Sequence, residues 1–244
     1  MTQEIMHRLM KEQFAIDYGC SIHDFENKDT LVTVRNHNSL ARKHEEQGIL
    51  SILSYGGKLI ISAAPELFDW SQSILAKRIS AEWGFEAGML ILIDKKLNEL
   101  GYTIDQAHLF FTPKYSMPMP KHPIHILHSD KIEVLKKDER IDEAFLFEDY
   151  IEDVLGTALY DSQNELLAVA GATANSDRMW EMGINSFAEG KGYASSALTV
   201  LTQEIMKLEK VPFYGTAMSH LASQNTALRA GFVPTFCELT TRKL

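Results

Sequence analysis

Between an apolar run at residues 180–186 and a helical pattern that starts at Tyr193, the chain reads Glu189-Gly190-Lys191-Gly192-Tyr193-Ala194. This turn limits the fold more than any other segment. Small residues at Gly190, Gly192 and Ala194 let the backbone come close to a ligand. A helix opening there directs its unpaired N–H groups and the positive end of its dipole at the same point. Ala194, Ala197, Leu198, Leu201, Ile205 and Leu208 mark one face of that helix. A strand over residues 212–219, a helix over 222–230 stopped by Gly231, and a closing strand over 232–241 follow. Strand, glycine turn and helix in this order suit a bound pyrophosphate.

Upstream, residues 154–160 alternate as a strand does, 161–164 turn, and 165–175 form a second strand rich in Ala and Gly, so the pair reads as a hairpin. Residues 124–135 read as a strand or two, and 138–147 as a short helix. Four of the seven prolines fall in residues 112–123 (TPKYSMPMPKHP), a stretch that neither continues a helix nor fills a central strand. Before it, residues 49–61 read as a strand with a Gly56-Gly57 turn or bulge. Leu75, Ile79 and Trp83 at four-residue spacing predict a helix over 68–83. A further helix over 89–100 is stopped by Gly101 and followed by a strand ending near Phe111, although the tract 89–93 (MLILI) suits a buried strand equally by periodicity. The expected division is an α/β domain at 1–111, a proline-rich linker at 112–123 and a second domain at 124–244.

A formal net charge of −9 argues against general binding to nucleic acid or to an anionic membrane, both of which need a basic surface. An anionic ligand then requires a locally positive site. The two cysteines, Cys20 and Cys237, lie far apart, which suggests neither a disulfide framework nor a zinc site. The first residues lack the unbroken apolar core of a signal peptide, and no run reaches membrane-spanning length, so a cytoplasmic protein is expected. His122, His125 and His128 recur every three residues, but in a proline-bounded loop and a strand that spacing sends neighbouring side chains to opposite faces rather than to one metal ion.

With these parts in place, the region from residue 154 to the C-terminus resembles the GCN5-related N-acetyltransferase (GNAT) superfamily. Its pyrophosphate motif, Arg/Gln-x-x-Gly-x-Gly/Ala, is met by residues 189–194 except at the first position, Glu189. The second likeness is the segment from His220 to Phe232, in which Ser223 keeps the serine of the family's Asn-x-x-Ser, His220 takes the place of the asparagine, and Gly231-Phe232 closes the helix. The resemblance implies that the backbone of Glu189, Gly190, Gly192, Tyr193 and Ala194 grips phosphate, that Lys191 adds positive charge and Ser195 a hydroxyl, and that His220 and Ser223 flank the pantetheine arm. It implies that residues from Met182 to Ile184 pair with the pantetheine amides and that an N–H near Met182 or Gly183 meets the oxyanion. Ala227 stands where many relatives carry a tyrosine proposed to protonate the leaving thiolate. The chain also looks like the bacterial transferases related to the zwittermicin-resistance acetyltransferase, through residues 170–175 and 180–184. In some relatives of the superfamily an N-terminal domain that looks like a partial or degenerate transferase copy packs against the catalytic one, and the strand and helix mixture of residues 1–111 is compatible with that.

The expected fold is therefore α/β, a mixed and largely antiparallel sheet flanked by helices in two packed units. The expected reaction moves an acetyl group from acetyl-CoA to a primary amine of a small molecule, with no metal and no cysteine intermediate; a homodimer is left open. Glu181 is the first candidate for the general base, with Asp177 and Glu238 as alternatives, although a plain ion-paired role suits a strand glutamate as well. Asn225 and Arg229 read as solvent-facing helix residues, and Trp83 and Trp180 as core or pocket-wall residues. A dinucleotide site would want a third glycine at Ser195, and a P-loop a Ser or Thr at Gly192. The rival from another class is a non-catalytic acyl-CoA-binding sensor.

Overall fold

Proline and glycine punctuation sets the element boundaries of the first part of the chain. The computed structural model describes residues 1–43 and 48–244, and divides them into two compact units. One unit comprises Lys11–Phe110 with Thr235–Leu244. It holds the second half of helix α1 (Gln3–Tyr18), strands β1 (Leu31–Val34), β2 (Leu50–Tyr55) and β3 (Lys58–Ala63), helices α2 (Pro65–Trp70) and α3 (Ala87–Asn98), and most of β4 (Tyr102–Pro113). Gly56 and Gly57, at φ of 60° and 80°, turn β2 directly into β3, a conformation that L side chains resist. β1 runs parallel to β3. Ile52, Leu59, Ile61, Leu67, Ile93 and Leu97 form the centre of its apolar core. The ambiguous tract 89–93 is helical, within α3.

The helix expected over 68–83 is shorter. α2 starts at Pro65, in the first-turn position that proline favours, and passes into a single wide turn at Ser71–Leu75, after which the chain proceeds by turns. Leu75 and Ile79 are buried as their spacing predicts, whereas Trp83 is 67% exposed and is not a core residue.

The other unit comprises Phe111–Pro234 with Met1–Met10. Its elements are β5 (His125–Leu127), α4 (Ser129–Leu135), β6 (Asp153–Tyr160), β7 (Leu166–Thr173), β8 (Met179–Ser186), α5 (Tyr193–Lys207), β9 (Val211–Ala217), α6 (Leu221–Arg229) and the start of β10 (Phe232–Lys243). β5, β6, β7 and β8 pair antiparallel in that order, and β8 runs parallel to β9. β10 continues into the first unit, where residues 236–239 pair antiparallel with β2. The sheet is mixed, mostly antiparallel and flanked by helices. Its Ala-rich and Gly-rich strands let α5 approach one face closely: Thr157 donates to the Ala197 carbonyl at 2.9 Å and Thr202 meets the Met182 sulfur at 3.8 Å. The opposite face is covered by Ile132 of α4 and by Ile141, Ala144 and Phe145, packed with Ala158 and Val169.

Four expectations change in this unit. Residues 124–135 contain a strand of three residues followed by α4, with Asp130 in the helix's first turn. Residues 138–147 are not helical, because distant side chains take the amides a helix would bond internally. Asn185 accepts from Glu143 and Ala144 at 3.1 and 2.8 Å, and Asp153 from Leu146 and Phe147 at 3.2 and 2.8 Å. The proline-rich segment 112–123 lies inside this unit: the Lys114 amide donates to the Gly231 carbonyl at 2.9 Å and the Lys121 amide to Ser196 Oγ at 3.2 Å. Residues 1–10 also fall in this unit and residues 235–244 in the other, so the division is not a single cut along the chain. Leu208, just past the end of α5, is 53% exposed and leaves the apolar face.

Candidate functional site

β8 and β9 pair only from Met179↔Val211 to Glu181↔Phe213 and then part. Beyond that point Ile184 and Ser186 on β8 and Tyr214 on β9 line a cleft of about 400 Å³ that runs on to Ala188, Glu189, Gly190, Gly192, Tyr193, Ala194 and Ser195. Its other wall is His220 and α6, through Ala222, Ser223, Asn225, Thr226 and Arg229. Gly190 and Gly192 adopt φ of 75° and 78°, the left-handed region that favours glycine. The first bond of α5 runs from the Ser196 amide to the Gly192 carbonyl at 3.1 Å. The amides of Tyr193, Ala194 and Ser195 thus precede the helical ladder, at its positive end.

The structure brings together Ile184, Glu189, Gly190, Gly192, Tyr193, Ala194, Ser195, His220 and Ser223 around one cleft. Ser195 donates its hydroxyl hydrogen back to the Gly192 carbonyl at 3.0 Å, which leaves its oxygen as an acceptor. Two of the expected coenzyme ligands stand off the cleft wall. The Met182 side chain is buried under α5, and Lys191 is exposed, with its carbonyl 3.0 Å from His122 Nε2.

Seven cleft residues were not among the expected ligands: Ser186, Ala188, Tyr214, Ala222, Asn225, Thr226 and Arg229. Asn225, Thr226 and Arg229 share the α6 face that fronts the cleft; Asn225 and Arg229 are exposed, as read from the sequence, yet they line this site. Tyr214 is nearly buried, and its hydroxyl lies 2.7 Å from Ser223 Oγ. Burial raises its phenol above the ordinary pKa of about 10. The Ser223 hydrogen bond lowers it in part, and the field of Glu143 raises it. Nothing in local spacing separates this tyrosine from a core residue, because its position depends on where β8 and β9 part. Ala227 is fully buried and faces away from the cleft.

Of the candidate bases, Glu181 sits at the last β8–β9 pair, is half-buried, and accepts from Asn175 Nδ2 at 3.1 Å; Asn175 Oδ1 in turn accepts the Glu181 amide at 2.9 Å. Asp177 is a surface residue paired with Lys210 at 2.9 Å, which lowers its pKa. Glu238 belongs to the other unit, where one carboxylate oxygen receives Tyr18 at 2.5 Å and Arg42 at 2.6 Å, and the second receives Arg42 at 3.1 Å. None of the three lines the cleft, and Glu181 alone stands at the point where β8 and β9 part. His122 contacts the Lys191 carbonyl, His125 stacks edge-on against Tyr160 at 5.8 Å, and His128 precedes the first residue of α4 without a side-chain capping bond. Among the described residues no group of His, Cys, Asp and Glu is placed to hold a metal ion.

No protein-family profile and no curated protein matches this chain. Solved structures do. A GCN5-related N-acetyltransferase from Kribbella flavida is 15% identical, with a TM-score of 0.48 over 83% of this chain and 89% of its own. An acetyltransferase of the GNAT family from Colwellia psychrerythraea is 14% identical, with a TM-score of 0.44 over 58% of this chain. A protein from Novosphingobium aromaticivorans assigned to the same family is 13% identical, with a TM-score of 0.43 over 58% of this chain. The chain spans 57% of the Colwellia protein and 66% of the Novosphingobium protein. It is thus similar, as a mixed sheet flanked by helices, to solved structures of GCN5-related N-acetyltransferases.

Proposed function

We propose that the protein transfers an acetyl group from acetyl-CoA to a primary amine of a small molecule by direct attack. The observation that carries this reading is the course of the cleft, from the left-handed Gly190–Gly192 turn at the start of α5 to the point at which β8 and β9 part. The residues fit such a donor. The amides of residues 193–195 and the helix dipole suit a pyrophosphate, Arg229 adds a cation to the rim, and the β8 edge beyond Glu181 offers backbone groups to the amides of an extended arm. His220, Ser223, Asn225 and Thr226 line the same groove.

In the reaction, the amine nitrogen forms a bond to the thioester carbonyl carbon and the carbon–sulfur bond breaks. Glu181, held by Asn175 at the parting point, accepts the proton lost by the ammonium, directly or through water. Tyr214 supplies the group that Ala227 lacks. Its hydroxyl, kept protonated by burial, can deliver a proton to the departing thiolate while Ser223 orients it. A cysteine intermediate is disfavoured. Cys20 and Cys237 lie in the other unit, and burial pushes the Cys20 thiol up to about 11 and that of Cys237 upward, away from the reactive thiolate. No described helix is long and apolar enough to cross a membrane, and the reading places the reaction in the cytoplasm.

Titration calorimetry with coenzyme A, followed by a thiol-release assay over a panel of primary amines, tests this. Binding with turnover of at least one amine is expected, and Glu181→Gln should bind coenzyme A normally and turn over slowly. Binding without turnover of any amine would favour the sensor reading, and no binding would remove the cleft as a coenzyme A site.

A further inference from the structure

Gly156 of β6 pairs with Gly171 of β7, and Gly171 with Gly183 of β8, so a stripe bare of side chains crosses three strands on the face opposite α5. The loop from Asp142 to Phe145 lies in it. A Cβ at Gly156 would stand 2.7 Å from the Phe145 ring, and one at Gly171 2.5 Å from the same ring; one at Gly183 would overlap the Glu143 carbonyl oxygen. Asn185, next on that face of β8, completes the clamp. It accepts from the Glu143 and Ala144 amides at 3.1 and 2.8 Å and donates to Asp142 Oδ1 at 2.6 Å. Gly183 follows the last β8–β9 pair, so the residue carried over it stands above the segment at which the cleft opens. That residue is Glu143, whose side chain stays exposed while Ala144 and Phe145 are buried.

We infer that Glu143 is a specificity residue, which holds a cationic group of the acceptor amine on the sheet face opposite the coenzyme. The inference rests on the acyl-transfer reading. The neighbouring carboxylates are engaged, Asp142 by Asn185 and Glu181 by Asn175, and Arg140 is paired with Asp138 at 2.6 Å. Glu143 has no side-chain hydrogen bond or ion pair among the described residues, and its charge is felt at the Tyr214 phenol across the gap. An ammonium placed there would gain a charge-assisted hydrogen bond. Because the loop backbone is fixed to the sheet, the carboxylate is presented at low entropic cost. Asn185 acts as a positioning residue.

The test is calorimetric binding of 1,4-diaminobutane and 1-aminobutane to the full chain saturated with coenzyme A. The diamine should bind about tenfold tighter than the monoamine, the gain expected of one charge-assisted contact. Glu143→Gln should bring the two to within twofold, and Asn185→Ala should narrow the ratio, with coenzyme A affinity unchanged in both. A merely structural role would weaken both amines alike. Equal binding of the two amines by the wild type, or an unchanged ratio in Glu143→Gln, would overturn the assignment. Failure of the wild type to bind coenzyme A would instead overturn the transfer reading on which it rests.

Discussion

Replacing Gly171 by alanine tests whether the sheet needs a bare stripe. The added Cβ would stand 2.5 Å from two Phe145 ring carbons, about 0.9 Å inside the 3.4 Å at which ordinary contact begins, and would overlap the Ala144 carbonyl. A ring can rotate, but a backbone carbonyl moves only with its loop. Overpacking of this kind costs about 1–3 kcal/mol. If the loop lifts, the Asn185 bonds to the Glu143 and Ala144 amides go with it, about 1 kcal/mol each. The expected loss is therefore about 3–5 kcal/mol, read as a lower urea midpoint with the slope unchanged. Gly88→Ala in α3 is the control. Its Cβ would meet no atom within 4 Å, and alanine in a helix should add about 0.5–1 kcal/mol. A Gly171→Ala loss below about 0.5 kcal/mol would refute the reasoning, since no overpacked site should be so cheap.

Gly192→Glu should abolish coenzyme A binding by calorimetry, because a side chain at φ 78° strains the turn and adds a negative charge where the anion sits; binding within a few-fold of wild type would remove the turn from the site. Tyr214→Phe should lower turnover by about a hundredfold, the low end for a proton donor, with coenzyme A affinity nearly unchanged. Since burial raises that phenol, the wild-type rate should show no tyrosine-dependent fall below about pH 10, and a twofold effect of the variant would rule the role out. Glu238→Ala should destabilise by about 3–5 kcal/mol, the loss typical when one partner of a buried pair is removed, because the buried Arg42 loses one of the two carboxylates that face it; a urea midpoint near wild type would contradict it. Asp94 is held below the usual carboxylate range chiefly by the Ile104 amide, then by Thr103, so its stabilisation is present above about pH 4 and lost as pH falls through the lowered pKa. Asp94→Asn should therefore flatten the acid limb of the stability curve, and equal acid limbs would count against that stabilisation.

The legible parts of this chain are those with short-range causes. Gly190, Gly192 and Gly231 announce positive φ, and the Ala197, Leu198, Leu201, Ile205 pattern announces a buried helix face; all are observed. Residues 138–147 failed as a helix because their amides are answered from Asn185 and Asp153, partners that local pattern does not connect to them. Trp83 completed a spacing that the chain abandons after Ile79. Tyr214 reached the cleft because two parallel strands separate after three pairs, an event set by tertiary packing. Glu143 could not be singled out without Gly156, Gly171 and Gly183 falling into register.

The segment once expected to be a linker has a consequence for the anion turn. Its Lys121 amide reaches Ser196 Oγ, its His122 ring reaches the Lys191 carbonyl at 3.0 Å, and that ring stands edge-on to Tyr193 at 4.7 Å. A glycine-rich turn alone would sample many shapes and surrender that freedom each time a ligand arrived. Here the freedom is surrendered once, when the chain folds, and the proline-rich strap works as a permanent splint. Loosening it should slow nothing in the chemistry, yet every binding event would then carry the cost of ordering the turn anew.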